Sequence, residues 1–220
     1  MHFIDIPTEQ TTAITDVILA TVASYGIFSV YKSGFHIDRY KSLIWIWAFS
    51  FLSIAAFLGS IAHGIKMPEG INKLIWHPLN LLLGMTVALF LIGVIYDLKG
   101  SKLPRSLFIL IIFSGIVFFT ITVIFQKLFF VFILYESVAM LVAFISYLIL
   151  ITKKRLPGAS YMAFGILFSI IAAIVQSIPS IKLFLIWEFD HNGLFHIIQI
   201  PGLFFLFSGI AKSFQKKSIS

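Results

Sequence analysis

The sequence predicts an all-α fold, a single bundle of seven transmembrane helices. Hydrophobic residues make up 60% of the 220-residue chain and charged residues only 11%, with a mean hydropathy of +1.03. A soluble domain of ordinary composition carries about 25% charged residues. The apolar residues also fall into stretches of roughly 20, the length that a helix needs to cross the hydrocarbon core of a bilayer. The excess of apolar side chains is therefore expected to face lipid.

Seven such stretches follow one another along the chain. Helices satisfy their own backbone hydrogen bonds, as a lipid environment requires. The predicted helices are 12–31, 42–65, 76–98, 107–125, 128–152, 160–178 and 193–211. Their connections are short, so neighbours in sequence are predicted to pack as antiparallel neighbours in space. No repeat or linker interrupts the pattern, which predicts one domain over residues 1–220.

The net charge of +7 is unevenly distributed over the predicted loops. The first, third and fifth loops and the tail hold Lys32, Arg39, Lys41, Lys99, Lys102, Arg105, Lys153, Lys154, Arg155, Lys212, Lys216 and Lys217. The loops on the other side hold only Lys66, Lys73, Lys127 and Lys182. The positive-inside rule then predicts an outer amino terminus and a cytoplasmic carboxyl terminus, in the cell (inner) membrane. The basic loops are interpreted as anchors for anionic lipid, not as a nucleic-acid surface.

Two features that the sequence lacks bear on its first helix and on its possible metal ligands. The segment before the first predicted helix has no Lys or Arg, whereas a cleaved signal peptide begins with a basic region, so the first helix is expected to be retained. The chain has no Cys, which excludes disulfides, thiolate metal sites and Cys nucleophiles. Any bound metal would need His, carboxylate or water ligands.

Nearly all polar and ionisable residues within the predicted helices lie towards the outer face. Those selected as candidate site residues are Ser60, His63, His77, Glu136, Asp190, His191 and His196. Glu136 lies about 12 Å inside helix 5 at 1.5 Å per residue. Ionisable residues at such a depth usually face the bundle interior and mark functional sites. The pattern predicts a buried polar pocket that opens to one side.

Several of these residues also have an ordinary structural interpretation. The Ser60 hydroxyl can bond to a carbonyl of its own helix, and His77 precedes a proline that suits the first turn of a helix. Asp190 fits a helix N-cap. Capping does not explain His196, one turn further on. Because His191 is five residues before His196, a regular helix would not point both into one site unless His191 precedes the first turn.

The pair Ser60 and His63 at the end of helix 2, with Asp190 and His196 at the start of helix 7, resembles a known pattern. It is similar to the CREST superfamily of seven-helix proteins, which includes alkaline ceramidases, adiponectin-receptor-type proteins and GPI-remodelling hydrolases. The resemblance implies a zinc held by one His of helix 2 and two His of an HxxxH motif on helix 7. His63 and His196 match two of these ligands, and Asn192 stands at the remaining position.

The resemblance further implies a zinc-dependent hydrolase of a lipid amide or ester. His77 or His191 would supply the third ligand, Glu136 or Asp190 the general base, and Ser60 would assist the bound water. Three protein ligands and one open position are typical of catalytic zinc. Two other interpretations stay open: a non-catalytic seven-helix protein that binds a lipid or other ligand, and a small transporter or assembly subunit. A membrane lipid is the expected substrate or ligand; the sequence specifies no protein partner.

Overall fold

The computed structural model describes residues 2–125 and 129–215. These residues form α1 (Pro7–Gly34), α2 (Arg39–Gly64), α3 (Glu69–Lys99), α4 (Arg105–Ile124), α5 (Phe129–Thr152), α6 (Ala159–Gln176) and α7 (His191–Ser213), with two short strands, β1 (Lys182–Phe184) and β2 (Glu188–Asp190). All seven helices of the described residues are long and apolar enough to cross a membrane. The predicted helical fold class and the number of helices are confirmed.

Helices α1, α3 and α7 extend at both ends beyond the apolar stretches that predicted them. Helix α1 begins at Pro7, a residue that suits the first turn of a helix. Helix α3 begins two turns before its predicted start, and Lys73 and Glu69 form an ion pair of 2.7 Å in this added part. Hydropathy finds only the part of a helix that matches hydrocarbon, so polar ends are missed. The predicted start of helix 5 at residue 128, like Lys127, Lys216 and Lys217, lies outside the described residues.

A β-hairpin, which the sequence did not predict, connects α6 to α7. Strands β1 and β2 are antiparallel, with Lys182 opposite Asp190. The Thr11 hydroxyl of α1 donates to the backbone oxygen of Glu188 at 2.8 Å. The hairpin thereby holds the first residues of α7 against α1.

The described helices form a ring of six, with α4 on its outside. Helix α1 packs between α2 and α7, α6 between α7 and α5, and α3 between α2 and α5. Helix α4 packs mainly on α3 and touches α5 less. Gly84 of α3 and Gly115 of α4 allow this approach, because a Cβ on either residue would lie 2.8 Å from the carbonyl oxygen of the other. Sequence order therefore predicts every contact between successive helices, but not the contacts of α3 with α5 and of α1 with α7, which close the ring.

Lys41 is buried, which corrects the prediction that it is an exposed basic residue of the first loop. Its side chain pairs with Asp97 at 2.5 Å and donates to the Ser213 hydroxyl at 2.6 Å. The Tyr147 hydroxyl donates to the other oxygen of Asp97 at 2.8 Å. Asp97 is therefore an exception to the prediction that nearly all ionisable residues within the helices lie towards the outer face. The two charges can be buried because each has an opposite charge and hydrogen bonds to satisfy it.

Candidate functional site

A cavity of about 430 Å³ lies at the other end of the bundle and is called the upper cavity here. Residues near the beginnings of α1, α3, α5 and α7 and near the ends of α2, α4 and α6 line it, as an antiparallel bundle requires. Its volume falls within the range of about 300–1,000 Å³ that is common for small-molecule sites. The polar lining residues are Asp16, His63, Asn80, Thr122, Gln176, His191, Asn192 and His196.

His196 is held between two residues of α1. Its Nε2 lies 3.3 Å from Oδ1 of Asp16, and its Nδ1 lies 3.0 Å from the Thr15 hydroxyl. The Thr15 hydroxyl also donates to the backbone oxygens of Thr11 and Thr12, at 3.0 and 2.9 Å, so it can accept from Nδ1 when that nitrogen carries the proton. Gly59 of α2 leaves room for this carboxyl, because a Cβ there would lie 2.9 Å from Oδ2 of Asp16. Any side chain at position 59 would have to displace the Asp16 carboxyl.

Asp16 is a site residue that the sequence did not select. Asp16 lies in α1 and is only 4% exposed. An ionisable residue in an apolar helix, at the same predicted depth as His196, was the available signal. Helical spacing relates residues within one helix and says nothing about contacts between α1 and α7.

His63 lines the upper cavity on α2, as predicted for a site residue. Its Nδ1 lies 2.6 Å from Oε2 of Glu9, and its ring meets that of Trp76 edge to face at 5.5 Å. Ser60 does not reach the cavity. It follows Gly59, which does, by one residue and so lies about 100° further round the helix. Its hydroxyl donates to the carbonyl of Phe57 at 2.7 Å, which is the structural interpretation given above.

His191 and His196 line the same cavity because α7 begins at His191. His191 does not precede the first turn, as the sequence analysis required, but is the first residue of that turn. The buried Nδ1 of His191 has no hydrogen-bond partner among the described residues. Asp190 is the N-cap of α7 and lies outside the cavity lining. Its Oδ1 accepts from the backbone N–H groups of Asn192 and Gly193 and from the Thr12 hydroxyl.

Of the four predicted metal ligands, His77 is the one that does not line the upper cavity. Helix α3 contributes Trp76, Leu79, Asn80 and Leu83 to the lining. These four positions follow the helical repeat along one face, and His77 lies about 100° away from Trp76. His77 is half-buried on a different side of α3.

A smaller cavity of about 90 Å³ adjoins the first and is called the lower cavity here. Leu19, Leu52, Leu83 and Phe132 line both cavities, so the two cavities lie directly against each other. The lower cavity is apolar apart from Thr86, Glu136, Ser169 and Gln199. Glu136 is 6% exposed and lines the lower cavity, whereas the predicted site histidines that line a cavity belong to the upper one.

The described residues do not fit a three-ligand zinc site in this arrangement. No group of three His, Asp or Glu side chains among them could hold a metal ion. Both ring nitrogens of His196 face Asp16 and Thr15, and Nδ1 of His63 faces Glu9. Asn192, at the remaining position of the HxxxH pattern, accepts from Gln176 at 3.4 Å.

The apolar helices and the polar-lined cavity at one end define the class: a multi-pass membrane protein with a buried polar chamber. The chain belongs to a family of unknown function, DUF6962, whose model matches residues 11–214. This range includes every residue that lines either cavity, whereas Glu9 lies just before it. No curated protein and no solved structure matches the chain.

Proposed function

We propose that the chain binds an amphiphilic membrane lipid, with the polar headgroup in the upper cavity and the hydrocarbon chain in the lower cavity. The observation that carries this proposal is that a cavity with polar side chains in its lining lies against a more apolar cavity, with four lining residues in common. Small-molecule sites are typically apolar with a few polar groups that fix the orientation of the ligand. An amphiphile matches this division along its length.

The polar lining favours a neutral or zwitterionic headgroup that forms hydrogen bonds. Asp16 faces His196 and Glu9 faces His63, so each acidic group has a basic partner. Asn80 and Asn192 add amide groups, which both donate and accept. A headgroup with hydroxyl or amide groups would bond to these side chains without adding an unpaired charge.

The orientation of this site follows from the basic residues at the two ends of the bundle. Helix ends and loops far from the upper cavity hold Lys32, Arg39, Lys99, Lys102, Arg105, Lys153, Lys154, Arg155 and Lys212, whereas the cavity end holds Lys66, Lys73 and Lys182. Removing the buried Lys41 from the count leaves this asymmetry intact. The positive-inside rule then orients the upper cavity outward, with the amino terminus outside.

Photocrosslinking in vesicles tests the proposed lipid site. A monoacylglycerol with a photoreactive group on its chain is expected to label peptides that line the cavities. Ala56→Phe would fill the space, because Ala56 lines the upper cavity and is 5% exposed. Ile54→Phe is the matched control, since Ile54 is 49% exposed on the same helix and lies outside the lining. Equal labelling of both variants and of the wild type would refute a lipid site in the cavities.

The second candidate is the zinc-dependent lipid amide or ester hydrolase implied by the CREST resemblance. The observation in its favour is that His63, His191 and His196 line one cavity. Metal analysis of protein purified without chelator would give close to one zinc per chain, with a sharp loss in His63→Ala and His196→Ala. Asn192→His would increase zinc affinity if the site is a weakened HxxxH motif. Wild-type protein without bound metal would contradict the zinc hydrolase and leave lipid binding as the remaining proposal.

A further inference from the structure

We propose that the lower cavity recognises a hydroxyl group on the hydrocarbon chain of its ligand, and so selects a hydroxylated amphiphile over a plain one. The inference rests on the proposed function and adds a second polar recognition point to it. It derives from two buried oxygen atoms, Oε1 of Gln199 and Oε2 of Glu136, that have no hydrogen-bond partner among the described residues.

The orientation of Gln199 is determined by its neighbour. The Ser169 hydroxyl donates its single hydrogen to the carbonyl of Gly165 at 3.2 Å. It therefore accepts from Nε2 of Gln199, at 3.0 Å. The amide oxygen of Gln199 is left as an acceptor in a cavity that the same side chain lines.

Glu136 contributes the second oxygen from α5. It is 6% exposed and Gln199 is 7% exposed, so bulk water does not satisfy either residue. A buried polar group without a partner is costly, and a ligand that supplies the partner recovers that cost. A hydroxyl has one hydrogen to donate and can also accept, so it can donate to the Gln199 oxygen and accept from a protonated Glu136 carboxyl. A plain hydrocarbon chain would leave both oxygens unpaired.

The helix geometry gives the depth of this recognition point. Gln199 follows His196 by three residues and His191 by eight on α7, which corresponds to roughly 5–12 Å along the helix axis. The hydroxyl is therefore expected in the first half of the ligand's chain, below a headgroup that contacts the imidazoles.

Competition against the photoreactive monoacylglycerol tests the inference. The probes are 1-stearoylglycerol and a series of its counterparts with one hydroxyl moved along the first half of the chain. At the best position, the hydroxylated ligand is expected to bind the wild-type protein about tenfold more tightly than the plain one. Gln199→Leu and Glu136→Leu, made separately, should each reduce this preference. Gln10→Leu, at an exposed position outside both cavities, is the control and should keep it.

The outcomes separate this inference from the proposal on which it rests. Equal affinity for plain and hydroxylated ligands in the wild type would overturn the hydroxyl site, with water as the occupant of the polar position, and would leave the lipid site standing. A preference that survives both Leu substitutions would also overturn it. Failure of every monoacylglycerol to bind would overturn the proposed function and this inference together.

Discussion

At the scale of single residues, the chain places its ionisable groups in opposed pairs at both ends of the bundle. Lys41 and Asp97 pair at 2.5 Å at the end away from the cavities, and His196 meets Asp16 at the cavity end. Removing Lys41 or Asp97 alone leaves a buried charge, which costs more than the pair contributes. The two ends differ because Lys41 and Asp97 also bond to Ser213 and Tyr147 in a packed region, whereas the Asp16 pair borders a cavity.

We expect Lys41→Met to lower the free energy of unfolding by about 3–5 kcal/mol, because it leaves Asp97 buried without its counter-charge. The double variant Lys41→Met, Asp97→Leu should recover most of this loss. Thermal unfolding in detergent micelles measures both effects. Lys153→Met, at an exposed position, is the control and should stay close to the wild type. A double variant less stable than Lys41→Met would contradict this account.

At the scale of secondary-structure elements, α4 depends on one close contact. It lies outside the ring and packs mainly on α3, where Gly84 and Gly115 approach each other. In lipid, apolar side chains gain little by contact with another helix, so association relies on close backbone packing. The end of α4 also contributes Thr122 and Phe125 to the upper cavity. The contact between α3 and α4 therefore bears on the shape of the proposed binding site.

We expect Gly84→Ala to destabilise the protein by about 1–3 kcal/mol, because overpacking a tight contact forces the helices apart. The new Cβ would lie 2.6 Å from the Phe118 ring and 2.8 Å from the Gly115 carbonyl oxygen. Gly70→Ala is the matched control, since nothing lies within 4 Å of a Cβ at this position of the same helix. It should be neutral or slightly stabilising. The same unfolding measurement in micelles compares the two variants, and equal effects would refute the packing argument.

At the scale of the whole molecule, the number and order of the helices could be predicted because lipid imposes one simple requirement on sequence. A helix that crosses the bilayer must be apolar over its middle, and that pattern is visible without a structure. The peripheral position of α4 was not predictable, because a helix that is apolar all round shows no preferred side. The contact of Asp16 with His196 was not predictable either, since it joins two helices that are distant in sequence.

The burial of Lys41 shows a further limit of sequence reasoning. A lysine next to a predicted helix end is usually a loop residue near the membrane surface. Its carboxylate partner lies on α3, near the end of another apolar stretch, and no local pattern relates the two residues. Of the predicted site residues, His63, His191 and His196 line one cavity, whereas Ser60 and His77 lie outside it.

We expect the carboxyl terminus to lie in the cytoplasm, because basic residues are concentrated at the end of the bundle away from the cavities. A reporter that is active only in the cytoplasm, fused after the last residue, should give a signal. The same reporter fused before α1 should be silent, with expression checked by immunoblot. The reverse pattern would turn the upper cavity towards the cytoplasm.

The packed region between the two ends of the bundle has a consequence for exchange across the membrane. The lower cavity stops at Trp45, Phe49 and Phe90, and the core cluster to which these belong extends to Phe214, whose ring lies 5.0 Å from the Lys41 ammonium group. In the conformation described, this packed region separates the cavities from the other end of the bundle. The fraction of protein molecules with a bound lipid would then depend on the lipid composition of one leaflet. It would not depend on the difference in lipid concentration between the two leaflets.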